Sequence, residues 1–143
     1  MNKEECKMQY LEFIQNVITR MNTNSFQIKE LTILIVTACL AIYASDSKIL
    51  MLLVPIFPTS VLWCLDSYYL LQERKFRSLY DDVANVKTPP IYNPKVYEMP
   101  MDKYTAVQKP SLSFWRVLFS KTILSFYISL IATLFVLFWV LKK

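Results

Sequence analysis

Three stretches of this 143-residue chain carry no charged side chain: 31–44, 49–65 and 122–141. A helix crossing a ~30 Å hydrocarbon layer needs about 20 apolar residues, with a range of roughly 17 to 25. The third stretch, twenty residues long, meets that length outright, and the second, at seventeen, meets its lower limit. The first has only fourteen residues, but just 45–48 separates it from the second, a connection suited to an antiparallel helical hairpin. If the second stretch crosses, the first must bring the chain to the far side. Residues 26–30 then complete its length, with Lys29 snorkelling to the headgroups. The expected fold class is an all-α membrane protein with three transmembrane helices. The spans fall at about 28–45, at 49–65 and within 114–143.

Basic residues stay cytoplasmic. Segment 66–121 holds nine Lys/Arg, whereas the 45–48 loop holds one Lys and one Asp. The N-terminus and 66–121 are therefore expected inside, and Lys142 and Lys143 end the chain outside as a minor exception. Trp115 and Trp139, 24 positions apart, match the two aromatic belts of a bilayer at ~36 Å along a helix. The first thirty residues lack a basic-then-apolar leader with a small-residue cleavage site, so the first span is expected to be its own uncleaved signal.

The polar parts form a small helical layer in this reading. Within 1–24, Tyr10, Phe13, Ile14, Val17, Ile18 and Met21 follow the spacing of one helical face. Asn22–Ser25 interrupts that pattern, and Asn24 is placed to cap a new helix at an elbow, with Gln27 reaching back. Four basic and four acidic residues cancel over 1–30, which favours packing on protein over a lipid surface. Segment 66–83 extends the second span, with Pro55 and Pro58 kinking or unwinding its apolar part. Its apolar stripe is Leu65, Tyr69, Phe76, Leu79 and Val83, opposite Asp66, Glu73, Arg74, Arg77 and Asp81. Segment 84–113 contains five of the seven prolines. Within it, 96–99 and 104–107 can pair as a short β-hairpin, which needs support from the helices or a second subunit.

Two missing residue types exclude most chemistry. The chain has no glycine, so no glycine-dependent phosphate loop exists. It has no histidine, so Ser-His, Cys-His and His-ligated zinc sites lack their central group. Cys6, Cys39 and Cys64 are scattered and form no metal or disulfide framework. Glu73 and Asp81 lie among cations that keep them ionised, so acid–base catalysis is not expected. No enzyme activity and no cofactor are anticipated. The net charge of +5 accompanies a mean hydropathy of +0.31, and nucleic acid is not an expected partner.

Two sets of candidate residues remain. Thr37, Ala41 and Ser45 on the first span, and Ser125, Ser129 and Thr133 on the third, recur every four residues. Small residues at that spacing allow close backbone approach, within one subunit as the favoured reading or between copies, and the hydroxyls could also line a pore built from several copies. Arg74, Lys75, Arg77, Tyr80 and Asp81, with Asp66 and Glu73 nearby, form the densest charged cluster. It suits a solvated face near anionic lipid, an anionic ligand such as a nucleotide, or a partner protein. Lys87, Lys95, Lys103 and Lys109 add charge, and Tyr92, Tyr97 and Tyr104 offer stacking surfaces.

The runs Asn24-Ser-Phe-Gln-Ile-Lys29, Trp63-Cys-Leu-Asp-Ser-Tyr-Tyr-Leu-Leu-Gln-Glu-Arg74 and Phe76-Arg-Ser-Leu-Tyr-Asp81 resemble a family of small bacterial membrane proteins. The layout is also similar to that of the two-span membrane effectors of anti-phage signalling, in which a cytosolic part senses a nucleotide signal and the membrane part disrupts the bilayer. These resemblances imply a homo-oligomeric inner-membrane effector. The alternative from the same residues is a non-conducting anchor that recruits a cytosolic partner protein.

Overall fold

The computed structural model describes residues 2–46, 49–86 and 89–141. The expectations that involve Ser47, Lys48, Lys87, Lys142 and Lys143 lie outside the described residues. The elements are α1 (Lys3–Asp46), a 3-10 turn (Ile49–Leu52), α2 (Ile56–Ala84), a second 3-10 turn (Pro110–Leu112), α3 (Phe114–Leu118) and α4 (Lys121–Leu141). Helices Lys3–Asp46 and Lys121–Leu141 and the segment Ile49–Ala84 are each long and apolar enough to cross a membrane. The chain divides into two compact units, one of Met1–Asn24 with Tyr68–Val117 and one of Ser25–Ser67 with Leu118–Lys143.

Helix α1 corrects the expected elbow: it runs unbroken through Asn22–Ser25. No proline lies within it, and the Thr19 and Thr23 hydroxyls donate to the carbonyls four residues back, each at 3.0 Å, bonds that leave the helix ladder intact. Asn24, the expected cap, lies within the helix, and the neighbouring Ser25 hydroxyl bonds Asp66.

The second unit is the apolar one. Its interior is filled by Ile28, Thr32 and Val36 of α1, Leu52 of the 3-10 turn, Thr59 of α2, and Ile123, Tyr127 and Leu134 of α4. Trp63 organises the packing. Its ring stacks on Tyr127 with centroids 5.9 Å apart and meets Phe119 edge-on. Its indole N–H donates to the Leu118 carbonyl at 3.1 Å. That bond falls where α3 ends, and the expected single helix over 114–143 is interrupted there. The stretch is α3, a break at Phe119–Ser120, and α4 starting afresh at Lys121. The 49–65 stretch is likewise not one helix. Residues 49–55 close 3-10-type bonds such as Leu53 N–H to Leu50 O at 3.0 Å. Pro58 then falls in the first turn of α2, where its missing N–H costs nothing.

The sequence expectation for Lys29 and Asp66 is also corrected. Asp66 is fully buried rather than solvated, and Lys29 does not reach for headgroups. Lys29 Nζ lies 2.9 and 2.7 Å from the two Asp66 carboxylate oxygens, donates to Ser25 Oγ at 2.8 Å, and Ser25 Oγ donates in turn to Asp66. The small-residue stripes, by contrast, are not packed within the subunit. Thr37, Ala41, Ser45, Ser125, Ser129 and Thr133 are all exposed. The hydroxyls of the last three donate to carbonyls of their own helix, at 3.2, 2.9 and 2.8 Å.

In the first unit the α1 stripe holds in large part: Tyr10, Ile14, Val17 and Ile18 are buried, while Phe13 is exposed. On α2 the buried face is Leu71, Glu73, Ser78, Leu79 and Asp82, a more polar set than the predicted apolar stripe, in which only Leu79 is buried. Helix α2 ends without glycine. Asn85 takes the left-handed conformation at φ 57°, with Val86 N–H to Asp81 O at 3.0 Å and Asn85 N–H to Asp82 O at 3.2 Å. This is a Schellman cap in which Asn fills the position glycine usually takes. The expected β-hairpin does not form: among the described residues there is no strand. Instead the N–H groups of Glu98, Met101, Lys103 and Lys109 close local turns, and Tyr97 is left-handed at φ 65°, incompatible with an extended ladder.

Removing one member of a buried ion pair strands the other, at a cost of about 3–5 kcal/mol. Asp66→Ala is therefore expected to lower the thermal midpoint of the detergent-purified chain markedly, and Asp66→Leu with Lys29→Leu should recover more than half of the loss. An unchanged midpoint in the single variant would show that the pair is not structural.

Candidate cationic cleft

The candidate site lies wholly within the first unit, and it is built by the folding of the Pro-rich segment. Asp82, buried on α2, gathers that segment. Its carboxylate accepts the Ile91 and Tyr92 backbone N–H groups at 3.2 and 3.1 Å and the Tyr104 hydroxyl at 2.9 Å. Tyr104 is fully buried. Desolvation, followed by its bond to Asp82, pushes its phenol well above the ordinary range, so it stays a hydrogen-bond donor. Glu98 makes a second fastening. Its carboxylate accepts the Lys95 N–H at 2.9 Å and the Tyr92 hydroxyl at 3.3 Å, and its backbone carbonyl accepts the Tyr10 hydroxyl. The Tyr97 hydroxyl donates to Gln9 Oε1 at 3.0 Å, and its ring lies 5.7 Å from that of Tyr10.

This folding brings the end of the segment beside α1 and α2 around a cavity of about 440 Å³. Arg74, Arg77, Tyr80 and Asp81 line it from α2, Gln15 and Ile18 from α1, and Lys109 and Ser111 from the segment. Four of the five residues predicted for a binding site therefore converge, while half-buried Lys75 does not line the cavity. Glu73 is buried and accepts from Arg77 Nε at 2.7 Å, an i, i+4 pair. Arg74 donates to the Ser111 carbonyl at 3.4 Å, and Lys109 Nζ to Ser78 Oγ at 3.1 Å.

Of the other predicted contributors, Lys95 and Lys103 are exposed elsewhere on the segment. Tyr92, Tyr97 and Tyr104 hold the segment together instead of lining the cavity. Asp82, Gln15 and Ser111 were not singled out from the sequence, and Ile18 only as part of the α1 apolar face. The only signal for Asp82 was its position beside Asp81, at a helix end followed by a proline-rich stretch.

Compared with known proteins, the chain matches no family model, no curated protein sequence and no solved structure.

Asp82→Ala removes the acceptor of three hydrogen bonds and leaves buried donors unpaired, at about 1–3 kcal/mol for each group so stranded. The expected outcome is rapid proteolytic cleavage within 89–109 under conditions in which the parent chain resists. Equal resistance of the two proteins would contradict the role given to Asp82.

Proposed function

We propose that this protein is an oligomeric effector of a bacterial inner membrane, acting in defence against phage. In this reading the N-terminus and the first unit are cytosolic. A signal engages the Arg74–Asp81 cleft, the spans rearrange, and the membrane loses its integrity. The observation that carries the proposal is the convergence of Arg74, Arg77 and Lys109 on one cavity in a chain with three helices apolar enough to cross a membrane. A merely solvated juxtamembrane face requires no such convergence. Exposure of both small-residue stripes, with the α4 hydroxyls satisfied inside their own helix, supports association between copies. Such faces approach closely without leaving polar groups unpaired.

A second reading, a non-conducting anchor that recruits a cytosolic protein, draws support from the folded segment itself. It displays Val96, Tyr97 and Val107 to solvent, apolar side chains a partner would cover.

Induced expression in bacterial cells separates the two. The effector reading predicts influx of a membrane-impermeant dye and a detergent-corrected complex mass of four or more copies. Arg74→Ala with Arg77→Ala should cut the influx several-fold while the chain stays in the membrane. Sealed cells, together with a monomer or dimer that carries a stoichiometric cytosolic protein, would replace the effector reading with the anchor.

A further inference from the structure

The shape and lining of the cleft narrow what it takes. We infer that it binds a small molecule bearing a phosphate monoester or diphosphate joined to a flat, polar ring. This inference rests on the reading of the cleft as the signal-receiving site, and it names the chemistry of the signal.

Size comes first. A cavity of about 440 Å³ lies in the range of roughly 300–1,000 Å³ that small-molecule sites occupy. It holds one nucleotide-sized molecule, not a folded partner or a nucleic-acid strand, which would track an extended basic stripe.

Charge comes second. Three cations face one carboxylate, Asp81, in the lining. The bond from Arg74 goes to a neutral carbonyl at 3.4 Å, close to the outer limit of a hydrogen bond. The bond from Lys109 goes to a neutral hydroxyl. A phosphate oxygen displaces such partners with a gain, because a charge-assisted bond is roughly twice as strong as one to a neutral acceptor. Arg77 commits Nε to Glu73, one of its five N–H donors. Arg74 and Arg77 are three residues apart on α2, so they share a face. Lys109 adds a point charge from a separate element.

The remaining lining fixes the other end of the ligand. Tyr80 supplies a flat surface for a ring, Ile18 an apolar edge, and Gln15 an amide able to both donate and accept. Asp81 repels a second anion. The ligand is therefore polarised: phosphate toward Arg74 and Lys109, ring toward Tyr80 and Gln15.

Phosphorylated rings also occur as lipid headgroups, so the test separates the sources. The intact chain in phosphatidylcholine nanodiscs is titrated calorimetrically with ADP, adenosine and water-soluble short-chain phosphatidylinositol 4-phosphate. The expected result is binding of ADP, with adenosine weaker by about tenfold or more. Arg74→Ala and Lys109→Ala should each weaken ADP by about tenfold, the range for losing a bond to a charged group. Arg74→Lys, which keeps the charge and the packing stem, should lose less. Binding of the short-chain lipid with the same Arg74 and Lys109 dependence, in place of ADP, supports the inference and assigns the source to a headgroup. No binding of either phosphorylated probe, or binding indifferent to both substitutions in variants that keep the parent melting temperature, overturns it. Phosphate binding in a protein that never opens a membrane would overturn the effector reading alone. Membrane opening without phosphate binding would overturn only this inference.

Discussion

The candidate site depends on one buried carboxylate. Asp82 sits near the end of α2 and accepts hydrogen bonds from two backbone N–H groups and a buried phenol. The segment it holds contains Pro89, Pro90, Pro94, Pro100 and Pro110. Such a chain can form neither an extended helix nor a regular ladder, because proline removes donors and fixes φ. Its order must come from anchoring points outside its own backbone. Asp82 and Glu98 supply them, and each bond that their carboxylates accept is charge-assisted. Lys109 and Ser111 reach the cleft because the segment has been fastened upstream of them.

The apolar unit applies the same device in a different setting. Its elements bury Ile28, Val36, Leu52, Ile123 and Leu134, and a charged group, Asp66, is placed among them. Lys29 and Ser25 satisfy it. A buried ion pair contributes little net stability compared with a well-packed apolar pair, but it penalises every arrangement that separates its members. Lys29 and Asp66 therefore fix the register of α1 on α2 within this unit. Trp63 bonds the Leu118 carbonyl where α3 ends, ahead of α4.

Much of this was legible in the sequence, and the remainder was not, for identifiable reasons. The apolar stretches announce three long helices because length and lack of charge are local properties. Tyr10, Ile14, Val17 and Ile18 announce a buried face because burial on a helix follows its period. Arg74, Arg77, Tyr80 and Asp81 meet at one cavity because residues three and four apart share a face. Whether a carboxylate is buried is not local. The partners of Asp66 lie 41 and 37 residues away, and the Tyr104 partner of Asp82 lies 22 away. From sequence, both aspartates look like ordinary charges on a solvated helix. The expected elbow at Asn22–Ser25 failed for a related reason: α1 continues through it, and the Ser25 hydroxyl bonds Asp66, 41 residues away. The expected hairpin failed because Glu98, Met101 and Lys103 close local turns and Tyr97 is left-handed, which an extended pairing does not allow.

The outcome is a division of labour that follows from chemistry. Helices that expose apolar side chains along their length suit a lipid solvent, and the polar unit presents cations on a fold held by carboxylates. Hydrogen exchange of the intact chain tests this account most directly, because it asks whether the Pro-rich segment is folded. The Ile91 and Tyr92 amides lie outside any helix or strand, yet both are bound to Asp82. They should exchange far more slowly than free peptide and comparably to amides in α2. Exchange at the rate of an unstructured chain would mean that Asp82 does not hold the segment, and that the cleft it completes is not a preformed site.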